Sequence, residues 1–298
     1  MSALLNLSCF ENSMVKHQHF SYADRQVVLL TKHGKQDLIK DALESDLGCS
    51  LLHTDAFDTD QLGTFTRDVD RAGSQLEAAR RKAKIGMELT GVNIGIASEG
   101  SFGPDPYAGF FTWNTEILLW VDDELGIEVT GIANGPAQSI HREVKSVKEL
   151  LDFAVEAKFP EHHLVLRPEH QDHPQIYKNI SDEQRLLNAF LAAKKLSLNG
   201  AVFVENDLRA FCNPSRQEII RNAAKDLVQK LRSTCPACST PGYWRTKRIP
   251  GLRCSFCNQK TRLPVAEVWH CQSCSYENQQ EIKSEKFADP SKCDFCNP

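Results

Sequence analysis

No uninterrupted apolar stretch exceeds five residues, the length reached at Ile117–Val121, whereas a membrane-spanning helix needs about 20. Met1–Phe10 also lacks the charged start and extended apolar stretch of a secretory leader, so the expected location is cytoplasmic and a membrane is excluded as a partner. A global basic field is missing too. Lys and Arg number 35 against 39 Asp and Glu, a formal net charge of −4, which confines any nucleic-acid contact to a local patch. Gly and Pro are scarce, at 16 and 13 of 298 residues, excluding a collagenous or low-complexity chain. What remains, with 41% hydrophobic and 25% charged residues, is a folded globule of about two domains.

Cysteine is plentiful and unevenly placed. Eight of the 11 cysteines fall in four Cys-x-x-Cys pairs after residue 234: Cys235/Cys238, Cys254/Cys257, Cys271/Cys274 and Cys293/Cys296. Cys9, Cys49 and Cys212 stand alone and read as reduced core thiols. Two residues between thiols let one backbone turn wrap a metal, so four pairs supply two four-cysteine zinc sites. All four positions of each site are thiolates, which leaves no place for water and makes both Zn2+ structural. The intervals of fifteen, thirteen and eighteen residues between successive pairs are close to zinc-ribbon spacing. Sequential sites, pairs one with two and three with four, are the first expectation, and an interleaved cross-brace stays open. Residues 234–298 carry nine Lys/Arg against six Asp/Glu, an excess that zinc-bound thiolates cancel. Tyr243, Trp244, Arg245, Lys247 and Arg248 either pack the small ribbon core, the favoured reading, or grip single-stranded nucleic acid.

Four segments are expected: an arm or added edge over 1–24, an α/β domain over 25–140, an α/β extension over 141–232 and the cysteine module over 233–298. Gln26–Leu30 reads as a buried strand leading through a basic turn into a helix with Leu38, Ile39, Ala42 and Leu43 on one face. Ser74 and Glu77 have capping-box spacing, and Gly91 closes that helix. Val92–Ala97 is a buried strand, and the glycines of 98–103 predict a tight turn at its end. Two β-rich runs, Glu116–Val121 and Gly126–Ile132, predict a hairpin. In the middle region Ser146 with Glu149, Ser181, and Ser215 with Glu218 mark three helix starts around strands near Leu164–Leu166 and Ala201–Glu205.

The candidate chemistry gathers at the strand ends. A helix–strand unit brings Glu77 and Glu99 to one cleft edge, where two carboxylates suit Mg2+. Lys32, His33 and Lys35 supply phosphate contacts, with Lys82 on the same helix as Glu77. Taken singly, Glu77 is a capping-box partner, Glu99 a turn acid and Lys82 part of a solvated face. Arg209 and Arg216, within a run that also holds Glu205, Asp207 and Asn213, either clamp phosphate or serve a helix start. His162, His163, His170 and His173 read as a surface loop.

Ser74-Gln-Leu-Glu77-Ala-Ala-Arg80-Arg-Lys82-Ala83 resembles the S-x-E-E-N-A-R-x-K-A helix of the inosine triphosphate pyrophosphatase and Maf-like superfamily. Thr31-Lys-His-Gly-Lys35 is similar to that superfamily's T-x-N-x-x-K turn, one residue shorter, and Ser98-Glu99-Gly100-Ser101 to its D-D-S-G turn. Over residues 26–133 the resemblance implies a mixed-sheet, Rossmann-like pyrophosphatase domain with Glu77, Glu99 and Lys82 catalytic, and with Thr31, Lys32, His33, Lys35, Ser98 and Ser101 on the ligand. The whole layout is also similar to an uncharacterised bacterial family with a domain-of-unknown-function label, which implies no activity. Two functions are therefore expected in competition. One is an Mg2+-dependent hydrolase or pyrophosphatase acting on a nucleotide or related phosphate compound. The other is a non-catalytic zinc-ribbon adaptor that binds nucleic acid or nucleotide. Homo-oligomerisation is open in either case.

Overall fold

The computed structural model describes residues 20–32, 34–59, 73–282 and 286–298. Most of the expected arm, residues 1–19 with Cys9, and His33 of the basic turn lie outside the described residues. The first sheet is mixed and five-stranded, in the order β2-β1-β3-β4-β5. Its strands are β1 (Gln26–Leu30), β2 (Ser50–Thr54), β3 (Ile94–Pro104), β4 (Thr112–Asp122) and β5 (Ile127–Pro136). The first three are parallel and the last three form an antiparallel meander. Helices α1 (Gln36–Leu47) and α2 (Gln75–Thr90) are the two crossovers.

Strand alternation sends successive side chains to opposite faces, and β4 shows it. Leu118 and Trp120 enter a core shared with α1 and a later helix, α5 (Pro214–Arg232), whereas Ile117, Leu119 and Val121 face Ala79, Ala83 and Met87 of α2. A three-layer sandwich results. The Ser74–Glu77 capping box forms as expected, with Gly91 at positive φ as the C-cap. The turn expected at 98–103 does not form. Once paired, the segment is a strand, because β4 offers it ladder partners from Ile94↔Asp122 to Pro104↔Thr112.

The middle of the chain adds an antiparallel sheet ordered β6-β9-β7-β8. Its strands are β6 (His141–Val144), β7 (Leu164–Pro168), β8 (Tyr177–Ile180) and β9 (Val202–Asn206), with α3 (Val147–Glu156) and α4 (Glu183–Leu196) packed on it. The short β6 and β8 carry no sequence signal of their own. The cap of α4 is Asp182, not Ser181, and its carboxylate accepts from the Arg185 amide. The cap of α5 is Asn213, with Pro214 in the first turn, in place of the Ser215/Glu218 pair. That helix then leaves the second sheet and crosses β5 at Gly131. A Cβ there would come within 2.7 Å of the Leu227 amide nitrogen and overlap the Ala223 carbonyl.

The last strands, β10 (Trp244–Pro250), β11 (Pro264–His270) and β12 (Glu277–Glu281), form a separate antiparallel sheet. Among the described residues no helix is long and apolar enough to cross a membrane. Gly131→Ala is expected to cost about 1–3 kcal/mol through overpacking, seen as a lower thermal midpoint with both cysteine centres still metal-loaded.

Candidate functional site

The crossover from β1 to β2 through α1 and the one from β2 to β3 through α2 lie on opposite faces of the sheet, and the strand order reverses between β1 and β3. Open α/β sheets bind ligands in the crevice at such a switch point, outside the carboxyl ends of the strands. Here the chain leaving β1 carries Thr31, Lys32 and Lys35, and β3 carries Ser98 and Glu99. Both α1 and α2 begin at this edge, which directs the positive ends of two helix dipoles toward it. Gln75, the first residue of α2, donates its amide to the Glu99 carbonyl at 2.8 Å and to the Thr115 carbonyl at 3.1 Å.

A buried cluster of charge lies beneath. The Lys35 side chain, on a residue only 6% exposed, donates to the Ser98 carbonyl at 2.8 Å and to the Ser98 hydroxyl at 3.2 Å. Lys82 pairs with the buried Glu99. Arg216, from α5, reaches back to Glu116 of β4, with Nε 2.7 Å from Oε1, and its Nη1 donates to the Leu208 carbonyl at 2.6 Å. Asn114 donates to the same Glu116 oxygen at 3.0 Å. Gly100 makes room for this pair, since a Cβ there would overlap the Glu116 carboxylate. Three cations, Lys35, Lys82 and Arg216, thus face two carboxylates, Glu99 and Glu116. Burial, reinforced by Arg216, lowers the Lys35 ammonium from its ordinary 10.5 to about 7, against the opposing pull of Glu116 and Glu99.

The other expected residues are placed differently. Glu77 is exposed, and its carboxylate accepts from the Ser74 amide at 2.7 Å, which holds it below the usual carboxylate range. Glu99 is committed to Lys82. Among the described residues nothing supports a Mg2+ shared by these two carboxylates. Lys32 pairs with Asp58 at 3.1 Å, and the Ser101 hydroxyl donates to Gln75 at 3.1 Å. Arg209 is held by Asp207 and lies over the Phe211 ring. Glu116 and Asn114, within a strand whose later residues are apolar, escaped the sequence reading as site residues. A charged residue inside the run Thr112–Asp122 was the available signal. His162 is buried, with Nε2 2.9 Å from the Ser215 hydroxyl, so it is not part of a surface loop.

The cysteine centres are built by knuckles. In the first, the Ser239 amide donates to the Cys235 carbonyl at 2.8 Å, and in the second and third Asn258 and Ser275 bond Cys254 and Cys271 in the same way. These three closing residues all have positive φ. The centres interleave. Cys235, Cys238, Cys271 and Cys274 form one group, and Cys254, Cys257, Cys293 and Cys296 the other. The Cys235–Cys274 and Cys238–Cys271 sulfurs are 3.7 and 3.6 Å apart, and the Cys254–Cys296 and Cys257–Cys293 sulfurs 3.8 and 3.5 Å. A tetrahedral site with Zn–S bonds of about 2.3 Å separates its sulfurs by about 3.8 Å, so both groups fit structural zinc. The sequential pairing expected first is corrected by β10. Its seven extended residues carry the chain away from pair one to pair two, and β11 brings pair three back. The two centres therefore sit at opposite ends of the hairpin, roughly 20 Å apart at about 3.3 Å per residue.

Tyr243 is buried between Cys235 and Cys271, and Trp244 packs edge-on to Trp269 at 5.2 Å, as expected of ribbon-core residues, whereas Arg245, Lys247 and Arg248 are exposed and do not pack the core. Cys49 and Cys212 are buried free thiols, and burial pushes Cys49 up to about 11. Among the described residues, no group of three or more metal-capable side chains other than the two cysteine sets comes together.

Replacing Cys235, Cys238, Cys271 and Cys274 together by Ala is expected to leave one zinc per chain by elemental analysis. Sequential sites would each lose a pair and leave none. A second prediction concerns pH. The unfolded chain binds more protons than the folded one between Lys35's folded value, about 7, and its ordinary 10.5. Stability from this group therefore rises with pH across that window, by at most about 1.4 kcal/mol per unit. Urea unfolding at about pH 7 and about pH 9 should show the wild type gaining on Lys35→Met as pH rises.

A family model described as Domain of unknown function (DUF6671) matches residues 82–298, from within α2 to the end of the chain. No curated protein matches the chain.

Proposed function

The chain belongs to the DUF6671 family, and from its geometry we propose that the crevice over β1 and β3 binds the phosphate portion of a nucleotide or a related small molecule. The observation that carries this reading is the buried Lys35 ammonium. It is held at the switch point by neutral Ser98 oxygens, in a cluster that has one more cation than carboxylates among the described residues. An anion at that edge balances the excess charge and meets the amino ends of α1 and α2. Lys35 and Lys82 are the groups for the phosphate oxygens. Hydrolysis is proposed as the reaction on the resemblance of the 74–83 helix motif alone, since 98–103 is a strand and not the turn that the resemblance implied. In that reading Glu99 accepts a proton from the water whose oxygen bonds to phosphorus, while the P–O bond to the leaving phosphate or alcohol oxygen breaks. Mg2+ has no place in it through Glu77. The zinc module holds the fold and does no chemistry here, its metals being closed off by four thiolates each.

Calorimetric titration with orthophosphate, pyrophosphate and a panel of nucleoside di- and triphosphates tests the binding, with phosphate release followed in parallel. Lys35→Ala should weaken binding about ten- to a hundredfold, the worth of one charge-assisted hydrogen bond. Glu99→Gln should still bind while losing release of product. If no phosphate compound binds, or Lys35→Ala binds as the wild type does, the proposal fails.

A further inference from the structure

The residue before the second cysteine of each knuckle separates the two centres. It is Ala237 in the first and Ser273 in the third, the two that share the centre nearer the main sheet. In that knuckle Gln272 exchanges hydrogen bonds with the Glu128 backbone, accepting at 3.0 Å and donating at 2.8 Å, so this end of the module is docked. At the other centre the exposed aromatics are Phe256 and Phe295, 83% and 69% exposed. A third ring, Phe287, is 47% exposed. It is held beside knuckle two because Ala288 donates to the Arg253 carbonyl at 2.8 Å and accepts from the Ser255 amide at 2.9 Å.

Three exposed phenylalanines on a short, metal-braced tip are not core residues, since the cysteines and Leu252 already fill the small interior. Phe256 and Phe295 each lie between two cysteines of one group, so a bound metal would hold their backbone and leave little of its freedom to be lost on binding. Among the described residues of these segments cations outnumber the two acids, Asp289 and Asp294, although the thiolates of a zinc-loaded centre would offset part of that excess. Arg253, Lys260, Arg262, Lys286 and Lys292 are all exposed, and Lys286 lies over the Phe287 ring at 5.9 Å. The acids of the same segments are already engaged. Asp294 pairs with Arg262 at 3.0 Å, and Asp289 accepts from the Ser291 amide at 2.8 Å. Aromatic faces interleaved with cations are what a single strand of nucleic acid requires, bases stacking on the rings while phosphates meet the cations. A duplex keeps its bases stacked on each other and offers the rings nothing.

We infer that the distal zinc tip is a binding site for single-stranded nucleic acid, with Phe256 and Phe295 as its stacking platform. The inference is independent of the phosphate crevice.

Fluorescence anisotropy of the zinc-loaded full chain with a labelled single-stranded oligonucleotide, and with the duplex of the same sequence, tests it. The single strand should bind more tightly than the duplex. Phe256→Ala and Phe295→Ala should each weaken it roughly 5- to 150-fold, while Phe→Trp at either position retains binding and the zinc content stays at two per chain. Lys260→Glu with Lys292→Glu should flatten the salt dependence by about 0.7 in slope for each phosphate that is no longer neutralised. Unchanged affinity in the double Phe→Ala protein, duplex binding as tight as single-strand binding, or no binding at low salt overturns it. The last outcome assigns the rings to a protein groove instead.

Discussion

The Glu116–Arg216 pair is the constraint on which the rest of the molecule rests. Both groups are almost wholly out of water, at 0% and 2% exposure, and removing one partner of such a pair leaves an uncompensated buried charge at a cost of about 3–5 kcal/mol. The pair joins β4 to the start of α5 across 100 residues of sequence, spanning the whole second sheet. It fixes where α5 lands, and α5 in turn covers Leu118, Trp120 and Val129 of the first sheet. Gly100 is its steric condition and Asn213, capping α5, its geometric one. Burial lowers the Lys35 ammonium, and within the pair Arg216 adds to that lowering while Glu116 opposes it.

The zinc module solves a different problem. β5 is the edge of the first sheet, and an open edge invites pairing with other chains. Its outer groups are satisfied one by one: Gln272 takes the Glu128 amide and carbonyl, Lys230 donates to the Thr130 carbonyl at 2.7 Å, and Asp226 accepts from the Ile132 amide at 2.7 Å. Gln272 sits inside a cysteine knuckle, so that centre supplies one of the groups that close the edge. A four-thiolate site contributes folding free energy outright, and here part of it is transmitted to a sheet that contains no metal. Because the centres interleave along one hairpin, neither can form without β10 and β11 in register.

This arrangement gives the two ends of the module different fates. The proximal knuckles carry small residues and dock. The distal ones carry phenylalanines and stay in water. The crevice over β1 and β3 and the distal tip are thus separate surfaces on one chain, the first built by buried charge and helix dipoles, the second by exposed rings.

Local features were legible in the sequence because their causes are local. The Ser74–Glu77 box, the Gly91 stop, the hairpin around 122–126 and the cysteine pairs each depend on residues within a turn or two of one another. The mixed α/β character and a two-metal tail followed from them. Tertiary structure decided the remainder. Whether 98–103 turns or extends depended on β4, which lies outside that segment, and which knuckles share a metal depended on the direction of β10. Glu116 and Arg216 show nothing of their pairing until α5 folds back onto β4. A sequence records which residues carry charge, but the free energy of that charge depends on how much water its neighbours displace, and those neighbours are chosen only when the chain closes on itself.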